Sequence, residues 1–112
     1  MSDLASVELE LPFDATAPQR ARAAVAQLTA NADVDVVVGE LVTNAIRHGH
    51  GPIRFCAART DAGLRIEVSD TRRDLGPSAS DSMGLRLVDT LAFASGVDHR
   101  DHEKIVWALV AM

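Results

Sequence analysis

Glu40 and Asn44 stand four residues apart in the run GELVTNAIRHGHG, from Gly39 to Gly51, and His48 follows four further on. On an α-helix that interval stacks side chains on one face, one turn above the other. A carboxylate so placed can orient or deprotonate a hydroxyl or a water. An amide oxygen is a neutral ligand for Mg²⁺, which keeps several waters and needs only one or two protein ligands beside phosphate oxygens. The spacing therefore suits a helix along which a triphosphate lies, with Asn44 on the metal and Glu40 as general base. The same stripe, continued to Arg47, is also the pattern of the wet face of a core helix, with Glu40 paired to Arg47 and Val38, Leu41, Val42, Ala45 and Ile46 on the opposite side. From this helix alone the two readings stand level.

Other residues offer less on their own. Asp70 closes the alternating run LRIEVSD, where a strand-ending aspartate that starts a turn is common. Gly84, in SMGLRLVD, falls at the start of a helical pattern, where exposed backbone N–H groups favour phosphate. His48 and His50, or His99 and His102, lack the cysteine company and helical spacing of common zinc sites. The serines have no histidine in an order that suggests hydrolase chemistry. Cys56 lies in a strand-like run and reads as a buried structural thiol.

These residues must be held by a short series of elements. VELELP (Val7 to Pro12) alternates as a half-buried strand. Thr16 and Pro18 open a helix through Thr29, and Asn31 separates it from a second helix that starts at Asp33 and carries the opening motif. IRFCAART and LRIEVSD flank the turn signal DAG as a hairpin. The stretch from Thr71 to Ser82 is rich in Arg, Asp, Gly, Pro and Ser and reads as a mobile loop. MGLRLVDTLA is a helix, and the remainder is a final hairpin in which Trp107, like Phe93 before it, reads as core. The order β-α-α-β-β-α-β-β excludes a doubly wound parallel sheet. It predicts an α+β two-layer sandwich, with a mixed, mainly antiparallel sheet covered on one face by helices.

The bulk properties agree with one domain over residues 1–112. At 47% hydrophobic and 24% charged, the 112 residues can build one modest core. A net charge of −5 with scattered basic residues argues against direct nucleic-acid or acidic-membrane binding. With no signal-peptide pattern at MSDLASVELELP and no apolar run of membrane length, the expected location is the cytoplasm.

The motif E-x-x-x-N-A-x-x-H-G, Glu40 to Gly49, resembles the N-box of the GHKL (Bergerat-fold) ATPase superfamily, and GELVTNAIRHG looks most like bacterial anti-sigma-factor serine/threonine kinases. The likeness runs along nearly the whole chain. It implies a domain that binds ATP and Mg²⁺, sequesters a sigma factor and phosphorylates an antagonist protein, with a homodimer among the allowed assemblies. Carried onto this sequence, Glu40 is the catalytic base and Asn44 the metal ligand. His48 lies near the nucleotide, and Asp70 accepts a hydrogen bond from the adenine amino group. Gly76, Ser82, Gly84 and Leu85 border the phosphates. Two departures stand out: TRRDLGP supplies Gly76 alone, and Ser82 occupies a position where the family pattern has glycine. They keep open a second reading, an interaction module of the same fold without kinase activity.

Overall fold

The computed structural model describes residues 5–71, 81–101 and 103–112, with side chains left undescribed at 81–85. Five strands and three helices follow the expected order: β1 (Ser6–Leu11), α1 (Ala17–Val25), α2 (Ala32–His48), β2 (Ile53–Thr60), β3 (Gly63–Asp70), α3 (Asp81–Leu91), β4 (Ala94–Arg100) and β5 (Glu103–Val110). The strands form one sheet in the order β1-β2-β3-β5-β4. Every pairing is antiparallel, so the sheet is less mixed than the sequence suggested. The α1–α2 excursion returns the chain antiparallel to β1, and the two hairpins supply the rest.

Local chemistry sets the helix boundaries. Asp14 Oδ1 accepts from the Thr16 backbone N–H at 2.8 Å, ahead of a helix with proline in its first turn. α1 buries Ala17, Ala21 and Val25, one turn apart, and ends at Val25 rather than continuing to Thr29. Beyond it, the Gln27 and Leu28 N–H groups donate to carbonyls three residues back, a tightening turn that breaks the α-helical register. Asn31 is the N-cap of α2: its side-chain oxygen accepts from the N–H groups of Asp33 at 2.8 Å and Val34 at 3.2 Å. Asp33 and Asp35 in the first turn complement the helix dipole.

One face of the sheet carries the core. Leu11, Ile53, Phe55, Ala57, Leu64, Ile66, Val68, Val106, Ala108 and Val110 are buried together with Val34, Val37, Val38, Leu41 and Val42 of α2 and Val88 of α3. The β2–β3 turn needs glycine at Gly63, whose φ is +146° and where a Cβ would run into the Val110 carbonyl.

The other face is open and polar. Arg54 pairs with Glu8 at 3.1 Å, and Arg65 pairs with Glu67 at 2.7 Å while stacking 4.6 Å from the centre of the Trp107 ring. Trp107 is thus half-buried on the open face rather than in the core, and Phe93 is exposed. Cys56 is a half-buried free thiol on this same face. Burial first, and then the carboxylates of Glu67 and Glu8, push its pKa up, which favours the thiol over the nucleophilic thiolate.

Candidate functional site

The end of α2, with His48 and Gly49, meets the end of β3 at Asp70, and Asn44 and Glu40 lie one and two turns further back from His48 along α2. Glu40 and Asn44 are both half-buried on α2, and Arg47 is exposed. No ion pair joins Glu40 to Arg47 among the described residues, so the salt-bridge account of the stripe does not hold here. His48 is the last residue of the helix and is half-buried.

Gly49 explains why the motif stops on glycine. Its φ of −99° is open to any residue, so conformational freedom is not the reason. Space is. A Cβ at Gly49 would lie 2.5 Å from Asp70 Oδ2 and 2.6 Å from the Ala45 carbonyl oxygen. The absence of a side chain lets the helix end close directly onto the carboxylate, while the Gly49 N–H donates to the Ala45 carbonyl at 2.8 Å.

Asp70 is buried, at 4% exposure, on the helix-covered face of the sheet. Just past it, the Thr71 N–H donates to the His50 carbonyl at 3.2 Å, and its hydroxyl lies 3.1 Å from the Gly51 carbonyl. The loop after α2 and the end of β3 are thereby fastened together. A buried carboxylate is costly unless its lone pairs are satisfied. Asp70 therefore stands at the end of a buried strand face, where a turn residue would ordinarily be exposed.

The remaining predicted positions fall in two groups. Gly76 lies outside the described residues, as does most of the expected loop, at 72–80. Ser82 and Gly84 lie within α3, which begins at Asp81, so they occupy its first turn rather than precede it. The Ser82 backbone N–H belongs to the opening of the helix, whose leading N–H groups lack intrahelical acceptors, whereas Gly84 stands where the first intrahelical bond forms. Leu85 follows directly, and α3 packs beside α2.

Sequence reasoning passed over Lys104. It is the register partner of Asp70 across β3 and β5, and it too is only 4% exposed. The signal was present: in EKIVWALV, Lys104 shares its face with Val106, Ala108 and Val110, so a lysine stands at a core position.

The donor set fits Mg²⁺ in one way only. Among the described residues no cluster of three His, Cys, Asp or Glu side chains could hold a metal by itself. The Asn44 amide oxygen could serve as the single protein ligand to an ion carried mainly by phosphates. A shallow cavity of about 180 Å³, lined by Glu8, Arg54, Cys56, Glu67, Ser69 and Arg100 among others, lies on the open face. Its lining belongs to the face of the sheet opposite Asp70, and two of its charges, Glu8 and Arg54, pair with each other.

An antiparallel sheet layered with helices, a helix with polar residues at one-turn intervals, and a buried aspartate at its end define a histidine kinase-like nucleotide-binding domain. The chain belongs to the histidine kinase-like ATPase domain family, whose model matches residues 4–109. None of the curated proteins matches it. Among solved structures it is similar to the RsbU and RsbW domains of Rv1364c from Mycobacterium tuberculosis, with a TM-score of 0.71 at 21% identity. That match covers 96% of this chain and 32% of the other, so this chain spans about a third of its length. At that identity the likeness shows the fold.

Proposed function

We propose that this domain binds ATP with Mg²⁺ and acts as an anti-sigma regulatory factor that sequesters a sigma factor and phosphorylates an antagonist protein on serine or threonine. The observation that carries the nucleotide reading is the approach of Gly49 to the buried Asp70, which sets a fixed acceptor at the end of the N-box helix. Asp70 would take the adenine amino hydrogen there. Glu40 lies nine residues before Gly49, roughly 13 Å back along the axis. Base recognition and phosphate chemistry are therefore spaced along one rigid element. Asn44, between them, would hold the metal, which neutralises phosphate charge when bound. Glu40 would accept the proton of the substrate hydroxyl as its oxygen bonds to the terminal phosphorus and ADP departs.

The anti-sigma role rests on the wording of the N-box run and on the fold shared with the RsbW-containing structure. The second reading, an interaction module without phosphotransfer, is favoured by Ser82 and by the single glycine of TRRDLGP. One experiment separates them. Mg-ATP at a hundredfold excess over its dissociation constant should stabilise the fold by about 2.7 kcal/mol, and Mg-GTP should not. Asn44→Ala should weaken ATP binding more in magnesium than in chelator. With a candidate antagonist present, labelled phosphate should transfer to it, and Glu40→Gln should abolish transfer while leaving ATP binding nearly intact. Binding without transfer by the unmodified protein selects the interaction module. No stabilisation by either nucleotide at millimolar concentration refutes the nucleotide site.

A further inference from the structure

We propose that Lys104 is a positioning residue that holds Asp70 as a carboxylate acceptor and so sets the preference of the site for a 6-amino over a 6-oxo purine. The inference rests on the nucleotide reading above and extends it to a residue on another strand.

The geometry comes from the sheet. Asp70 and Lys104 are direct cross-strand partners on the helix-covered face, at the end where Gly49 closes onto the carboxylate. Directly opposed residues of an antiparallel pair carry Cβ atoms about 5 Å apart, within reach of a lysine stem. Asp70 and Lys104 are the buried charged residues among those described. Among the described residues, ionisable side chains near this end include Arg47, His48 and His50 around the close of α2 and His99, opposite Lys104 on β4; of these His48 is half-buried and the others are exposed. Lys104 is therefore the buried positive charge that faces Asp70.

The chemistry follows from donors and acceptors. Ionised, the Asp70 carboxylate only accepts, which matches the N–H of a 6-amino group and repels a 6-oxo group. Without a buried counter-charge, a buried carboxylate is driven to take up a proton. A carboxylic acid also donates, and it can hydrogen-bond to a 6-oxo oxygen. Removing Lys104 should thus convert a selective acceptor into an indifferent group. Sites built to pair one polar group discriminate strongly against the analogue that leaves it unpaired.

The test compares Mg-ATP with Mg-ITP, which differ at purine position 6, by calorimetric titration of the wild type, Lys104→Met and Lys104→Arg. The wild type should favour ATP at least tenfold. Lys104→Met should bring the two affinities within about threefold, and Lys104→Arg should restore the preference, which a purely structural role would not require. Where Lys104→Met folds poorly, Lys104→Gln takes its place in the titration. In parallel, Asp70→Asn combined with Lys104→Met should melt higher than Lys104→Met alone, because the uncompensated carboxylate is gone. Folded Lys104→Met or Lys104→Gln with wild-type selectivity, or strictly additive melting shifts, would overturn this inference while leaving the nucleotide site standing. A wild type that binds neither nucleotide overturns the nucleotide reading and this inference with it.

Discussion

The two faces of the sheet use opposite charges in opposite ways. On the open face, Glu8 and Arg54 have side chains 64% and 58% exposed, and each can turn to water if the other is lost. On the helix-covered face, Asp70 and Lys104 are each 4% exposed at the end of an apolar core, and neither has that alternative. Losing a charge is therefore nearly free on the open face and expensive on the helix-covered face. Charge placed in water decorates a surface, whereas charge placed under helices has to be required by something.

Removal of one buried partner is the largest predicted effect. Asp70→Ala or Lys104→Met should each cost about 3–5 kcal/mol in denaturant unfolding, since each strands an uncompensated charge. A loss below 1 kcal/mol would mean that the buried site is as wet as the open face, and the contrast would fail.

Gly49→Ala comes next. Its Cβ would meet Asp70 Oδ2 and the Ala45 carbonyl inside ordinary contact distance, so the helix end or the carboxylate must move. Overpacking of this kind costs about 1–3 kcal/mol. ATP binding should weaken out of proportion to that loss, whereas an alanine on the open face should leave it untouched. Calorimetry and thermal melting on the same sample check both.

The smallest stability effect belongs to the open face. Arg54→Ala should change stability by less than about 0.5 kcal/mol, and added salt should erase the difference. Cys56 sharpens the comparison through pH. Its pKa is raised, so the neutral thiol is the favoured form in the fold, and the thiolate fraction at mildly alkaline pH is below that of a free cysteine. Alkylation at pH 8 should be slower in the native protein than in urea. Stability should fall slightly as pH rises from the ordinary thiol value towards the raised one. Native alkylation as fast as in urea would show a fully solvated thiol.

Much of this was legible in the chain. Element order follows from period-2 and period-3.6 patterns, and so does the helix that puts Glu40, Asn44 and His48 one turn apart. Trp107 and Phe93 were misjudged because an apolar neighbourhood does not say which face a residue takes. In β5, alternation assigns Trp107 to the face opposite Val106 and Ala108. The strand-end position of Asp70 is legible in the alternation of LRIEVSD. The register that sets Lys104 opposite Asp70 is not legible, because β3 and β5 are separated in the chain by α3 and β4. Gly49 was noticed as a stop, but its physical cause, a carboxylate 21 positions later in the chain, exists only after folding.

The seam between β3 and β5 also bears on how fast the domain assembles. β2–β3 and β4–β5 are hairpins and can form locally, but the seam must bring distant segments together, from Asp70 opposite Lys104 to Leu64 opposite Val110. The charged rung closes the shortest loop of that seam. By chain statistics it is favoured over the far rung by only about 0.3 kcal/mol of closure entropy. With so little separating the rungs, apolar contacts such as Val68 opposite Val106 should dictate where zipping begins, and the charged pair should lock late. Lys104→Met should then accelerate unfolding far more than it slows folding, a partition that stopped-flow chevrons read directly.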